Sequence, residues 1–192
     1  NMLGSITIVI NPLPAAWAVT GGGSYCAGGA GVNVGLSGSG VGISYQLMNG
    51  LATVGSPVPG TGLAIGFGLQ TASGTYTVVA TNTTTGCQSN MNSSATVTIN
   101  NLPTVYNMTG GGGYCAGGSG LVLGLNLSQS GVNYQLYNGT TPIGSPIAGT
   151  GSAISWPIMT GAGTYTAIGT FAVSGCSSNM AGAAIITINP LP

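Results

Sequence analysis

The chain has 192 residues, among them 37 Gly, 10 Pro and 4 Cys, and not one Lys, Arg, Asp, Glu or His. An ordinary soluble domain carries about 25% charged residues; their absence here removes the groups of general acid–base catalysis, every common metal ligand except Cys and the cations that neutralise nucleic-acid phosphates. With 43% hydrophobic residues the chain is too apolar for the disordered class, yet no apolar run reaches the roughly 18–20 residues of a membrane-spanning helix.

Residues 1–14, NMLGSITIVINPLP, place Ile6, Ile8 and Ile10 at a period of two and end in Asn11-Pro12-Leu13-Pro14. The same pattern returns as NMNSSATVTINNLP at 90–103 and NMAGAAIITINPLP at 179–192, an offset of 89 both times. Laying 12–100 over 101–189 without a gap gives 44 identities in 89 positions. The chain therefore divides into a closing strand and linker of a preceding repeat (1–14), one whole repeat (15–103) and a second (104–192). It opens mid-pattern with no secretory leader, so it is expected to be a piece of something longer. A unit of 89 residues is long enough for its own core, and the Pro-bearing joints are expected to be short and semi-rigid.

Within the first repeat, Gly21-Gly22-Gly23 precedes Tyr25-Cys26-Ala27-Gly28-Gly29. Val32, Val34 and Leu36 then alternate with Asn33 and Gly35, and Ile43, Tyr45 and Leu47 with Ser44, Gln46 and Met48. Period two without helical spacing predicts strands. Asn49-Gly50, matched by Asn138-Gly139, predicts a hairpin with a type I′ turn, because both residues tolerate positive φ. Pro57 and Pro59, matched in part by Pro146, mark an edge strand guarded by proline where lysine is unavailable. Tyr76, Val78 and Ala80, then Ala95, Val97 and Ile99, supply two further alternating runs. About seven short strands with regular turn signals describe an all-β sandwich.

Gly74-Thr75-Tyr76-Thr77 and Gly163-Thr164-Tyr165-Thr166 resemble a tyrosine corner, with Tyr76 and Tyr165 opening the sixth strand of immunoglobulin-like sandwiches. Val78 and Ala167 stand where antibody domains put a core Cys, so any bridge lies elsewhere. Cys26, Cys87, Cys115 and Cys176 obey the 89-residue offset. Four cysteines allow three pairings; the repeat favours Cys26–Cys87 and Cys115–Cys176, one structural disulfide per repeat. Reduced thiols and a zinc site are the alternatives, the latter lacking CxxC spacing and any His or Asp to complete a tetrad. Disulfides imply an oxidising compartment.

Five Asn-x-Ser/Thr sequons, at Asn82, Asn92, Asn107, Asn126 and Asn138, fit secretion but also arise by chance in a chain this rich in Asn, Ser and Thr. The Thr75/Thr77, Thr164/Thr166 and Thr96/Thr98 pairs read as outward strand positions. Trp17 corresponds to Tyr106 and Phe67 to Trp156, swaps of size within one apolar class that read as packing before they read as a sugar platform. GGGSYCAGG lacks the Lys and the following helix of a phosphate loop. No Ser, Thr or Cys has a base to activate it, so no catalysis, cofactor or metal is expected, and neither nucleic-acid binding nor membrane insertion. Zero net charge favours lateral self-association.

The succession YCAGG, YQLYNG, IGSP, GTGSA, GTYT, GC over nearly the whole second repeat, with its counterpart in the first, resembles the tandem immunoglobulin-like repeats of very large cell-surface adhesins in gliding bacteria, the SprB-type gliding-motility adhesins. That resemblance implies export across the outer membrane, display as long surface filaments and attachment to a surface or polysaccharide substratum. It implies no catalytic or ligand residues. The expectation is an extracellular spacer whose partners are neighbouring repeats. A glycan-binding module and a filament subunit whose 1–14 strand completes a neighbouring sandwich are the alternatives.

Overall fold

A computed structural model describes residues 8–192. Ile6 and the rest of 1–7, the first half of the expected closing strand, lie outside the described residues; from Ile8 to Pro14 there is no regular strand, and Ile8 and Ile10 are 84% and 89% exposed. The chain divides into two compact units, Asn1–Ile99 and Asn100–Pro192.

In the first unit the alternating runs form β1 (Val19–Gly21), β2 (Gly23–Cys26), β3 (Val32–Leu36), β4 (Ile43–Asn49), β5 (Ala52–Pro59), β6 (Ile65–Gln70), β7 (Gly74–Asn82), β8 (Gln88–Asn90) and β9 (Ala95–Asn100). A small sheet has the order β1-β3-β6; a larger one runs β2-β9-β7-β4-β5, with β8 also on β7. Period-two alternation turns one side of each strand inward. Val19, Val34 and Leu36 from the small sheet thus meet Tyr45, Leu47, Tyr76 and Val78 from the large one in a single buried cluster. Each fully buried side chain of this size contributes about 1.5–3 kcal/mol. The result is an immunoglobulin-like β-sandwich.

The glycine triplet is the point where the first strand changes sheets. Gly21, Gly22 and Gly23 all have positive φ, between +79° and +128°, open to glycine at no steric cost. A Cβ on Gly21 would stand 2.1 Å from the Asn33 carbonyl oxygen and one on Gly22 2.7 Å from that of Thr96. The triplet ends β1 against β3 and restarts the chain as β2 beside β9.

The second unit repeats the plan: β10 (Met108–Gly110), β11 (Gly112–Cys115), β12 (Leu123–Leu125), β13 (Val132–Asn138), β14 (Thr141–Ala148), β15 (Ile154–Ser155), β16 (Gly163–Phe171), β17 (Ser177–Asn179) and β18 (Ala184–Asn189). Its sheets are β10-β12-β15 and β11-β18-β16-β13-β14, with β17 on β16. β11 runs parallel to β18, Tyr114 opposite Ile188 and Cys115 opposite Asn189. The proline-bearing β5 and β14 each close one edge of the larger sheet.

The hairpin turn differs from the type I′ expectation. Asn49 pairs with Ala52 and Asn138 with Thr141, so each asparagine ends its strand and the loop is Gly50-Leu51 or Gly139-Thr140. Only the glycine has positive φ, +60° in both, which is the type II′ pattern with glycine first. The asparagine is used elsewhere: Asn49 Nδ2 donates to the Ser73 carbonyl (3.2 Å) and Asn138 Nδ2 to that of Ala162 (3.3 Å).

Candidate functional site

The only reactive side chains in the sequence other than hydroxyls and amides are four thiols, and the strands carry them to defined ends of each sandwich. In the second unit Cys115 closes β11 and lies opposite Asn189, the last residue of β18, while the Ala116 amide donates to the Asn189 carbonyl at 2.8 Å. This is the end at which the chain leaves the sandwich. Cys26 closes β2 in the same way, on the strand next to β9.

Cys87 and Cys176 sit at the other end. The Asn82 amide donates to the Cys87 carbonyl and the Phe171 amide to that of Cys176, both at 2.9 Å, which holds each cysteine in the turn after β7 or β16. Cys87 Sγ is 4.0 Å from the carbonyl oxygen of Asn11 in the arriving linker, and Ser89 Oγ donates to the Pro14 carbonyl at 2.8 Å. In the second unit the arriving Asn100 and Asn101 border a shallow cavity of about 200 Å³ with Phe171, Val173 and Ser174 of the corresponding turn.

Cys87 and Cys115 are free thiols. The expected pairs Cys26–Cys87 and Cys115–Cys176 are therefore not formed, since each would need one of these two. Strand geometry gives the reason. Thirteen residues of largely extended chain separate Cys176 from Asn189, roughly 40 Å at about 3.3 Å per residue. Cys115 lies beside Asn189, whereas a disulfide needs Cα atoms within about 7 Å. Cys176 is 1% exposed, Cys26 and Cys87 are half-buried, and Cys115 is exposed.

Tyr76 and Tyr165, both buried, donate their hydroxyls to the carbonyls of Ala72 and Gly161, each at 2.8 Å and four residues upstream. Val78 and Ala167, two residues on, are buried in the core. Sequence reasoning missed other polar anchors. Ser39 and Ser128, both buried, donate to the Leu63 and Ser152 carbonyls at 2.6 Å and accept from the amides of Thr61 (2.9 Å) and Thr150 (3.0 Å). Gln46 and Gln135 donate across a register shift in the hairpin, Gln46 to the carbonyls of Leu47 (2.8 Å) and Val54 (3.0 Å) and Gln135 to those of Leu136 and Ile143 (2.9 Å each). A lone Gln at a half-buried strand position was the available signal.

Tyr45 and Tyr134 accept from the amides of Gly40 and Gln129, each at 2.8 Å. Burial pushes the Tyr134 hydroxyl above its ordinary value near 10, against the lowering effect of the Gln129 amide and with a smaller upward push from Tyr106. Trp156 is buried with its indole N–H unpartnered, beside a cavity of about 450 Å³ that Ile143, Pro146, Ile147 and Met159 also line. Among the described residues, no three His, Cys, Asp or Glu side chains come together as a metal site.

No protein-family model matches the chain, and no curated protein matches it. Among solved structures the chain is similar to the fibronectin(III)-like modules of Clostridium thermocellum CbhA, at 15% identity and a TM-score of 0.43, over 90% of this chain and 95% of that one. It is also similar to murine CEACAM1b, at 13% identity and a TM-score of 0.39, over 86% of this chain and 96% of that one. A third similarity is to the three N-terminal domains of the bacteriophage RB49 outer capsid protein Hoc, at 12% identity and a TM-score of 0.40, over 90% of this chain and 59% of that one.

Proposed function

We propose that the chain is a spacer segment of an extracellular repeat adhesin or surface filament of the gliding-motility type, displayed at the cell surface, with the repeat unit running over 15–103 and 104–192. The observation that carries this reading is the same sandwich built twice from a sequence without a single Lys, Arg, Asp, Glu or His. Such a surface offers shape, strength and neutral hydrogen-bonding groups. Its contacts are nearly insensitive to ionic strength, because there is no charge to screen. Its partners are neighbouring repeats, laterally adjacent copies and the substratum that the whole filament meets.

Single-molecule stretching under reducing conditions tests the reading. Two separate unfolding events are expected, each releasing about 300 Å for a repeat of 89 residues at roughly 3.4 Å per residue. One smooth extension would overturn it. A glycan array separates the spacer from a sugar-binding module, since a spacer gives no saturable binding. The exposed Ile8 and Ile10 favour a second reading, in which residues 6–11 close a sandwich that lacks its own last strand. Addition of a synthetic 1–14 peptide to such a truncated sandwich would then raise its melting temperature.

A further inference from the structure

We propose that the open flank of the second sandwich is a binding site for a small neutral molecule, largely apolar and carrying one hydrogen-bond acceptor such as a ketone oxygen, which the indole N–H of Trp156 engages. The site is the cavity of about 450 Å³ between β14, the edge strand of the larger sheet, and the segment that follows β15 at the edge of the smaller one. It lies wholly within one unit and is independent of the spacer reading.

Three observations carry it. Trp156 is 3% exposed, and among the described residues its indole N–H is the one buried side-chain polar atom without a hydrogen-bond partner. Native proteins rarely leave a buried donor unpaired, because its lost hydration is not repaid. The second observation is the wall around it: Ile143, Pro146, Ile147, Pro157 and Met159 line the cavity, and its volume falls in the range of roughly 300–1,000 Å³ typical of small-molecule sites. The third is the first sandwich, where the 89-residue offset puts Phe67, Gly68 and Gln70 in place of Trp156, Pro157 and Met159. There the edge strand β6 continues to Gln70, whose buried side chain donates Nε2 to the Phe67 carbonyl at 2.9 Å. In the second sandwich β15 stops at Ser155, ahead of Pro157, which has no N–H for a ladder. The fold is thus built once with no donor at this position, so the unpaired indole is a property of this site and not a demand of the sandwich.

The chemistry of the wall selects the ligand. Besides the indole, the lining side chains offer one hydroxyl, that of the exposed Ser145. A sugar brings more hydroxyls than these two groups can pair, and a charged molecule meets no counter-charge in a chain without ionisable carboxylates, amines or imidazoles. An apolar body removes water from Ile143, Ile147 and Met159, whose flexible thioether adapts to its outline, while the single N–H fixes the orientation of its acceptor. Pro146 and Pro157 are exposed, so the cavity communicates with solvent and a ligand enters without unfolding.

Titration of the isotope-labelled 192-residue chain followed by NMR tests this, with acetophenone and α-methylstyrene as probes, two molecules of the same outline in which a ketone oxygen is exchanged for a methylene. The chain has two tryptophans, and Trp17→Phe assigns their indole signals. Acetophenone is expected to move the Trp156 indole proton downfield, saturably, to slow its exchange with solvent and to shift the Met159 methyl, while the Trp17 signal stays in place. α-Methylstyrene, lacking the acceptor, should shift the same methyl but bind roughly 2- to 10-fold more weakly, the worth of one neutral hydrogen bond. Trp156→Phe, which installs the residue of the first repeat, should erase the difference between the probes. Methyl glucoside should leave both signals unmoved. Absence of a saturable change at the Trp156 indole, equal affinity of the unaltered chain for the two probes, or a stronger response to methyl glucoside would overturn the proposal. The comparison of probes on the unaltered chain decides the matter even where the Phe variant does not fold.

Discussion

At the scale of single residues, the sandwiches depend on neutral hydrogen bonds placed where most proteins would use charge. The Tyr76 hydroxyl fills the Ala72 carbonyl from inside the core at 2.8 Å. Tyr76→Phe keeps the ring and removes the bond to Ala72, an exposed residue whose carbonyl water can reach, so the loss is that of an ordinary hydrogen bond, about 0.5–1.5 kcal/mol. The expected outcome is a lower urea midpoint for the first unit's transition with an unchanged slope. Tyr134 acts in the opposite pH direction from most stabilising groups. Its folded-state pKa is raised by burial, so above the ordinary tyrosine value near 10 the unfolded chain loses a proton that the folded chain keeps. Stability therefore falls as pH climbs past about 10. Below that, between about pH 5 and 7, no side chain titrates, and thermal scans should give a flat melting temperature across the interval.

At the scale of elements, the glycine triplet that moves the first strand from one sheet to the other is the most exacting local structure. Gly22→Ala puts a Cβ 2.7 Å from the Thr96 carbonyl oxygen at a φ of +79°, and a left-handed conformation alone costs an L-residue about 1–2 kcal/mol. A loss of about 2 kcal/mol or more is expected from urea unfolding, with no comparable effect for alanine at Gly66, where a Cβ meets nothing within 4 Å. The strands themselves were legible, because Val34 and Leu36, Tyr45 and Leu47, and Tyr76 and Val78 alternate with polar or small neighbours and all face the core. The turns were less so. Asn-Gly signals a hairpin correctly but does not say which residue leaves the ladder. The amide of Asn49, engaged with the Ser73 carbonyl 24 residues away, keeps that asparagine in the strand by a contact no local window displays.

At the scale of the whole chain, the 89-residue period exposed the two sandwiches, but the cysteine pairing was hidden by the same symmetry. A repeat suggests one bridge per unit. What it conceals is that β11 runs parallel to β18, which carries the Tyr-Cys thiol to the far end of β18, while the Gly-Cys thiol lies before β17, ahead of the start of β18. Only the strand order, not the spacing, separates the two by the length of a sandwich. The same parallel pairing has a mechanical consequence inside one sandwich. A tug on the two ends of the second unit drags β11 and β18 past each other lengthwise, so their evenly spaced rungs of hydrogen bonds bear the load together and break as a group, where an antiparallel hairpin pulled from its open end would unzip one bond at a time.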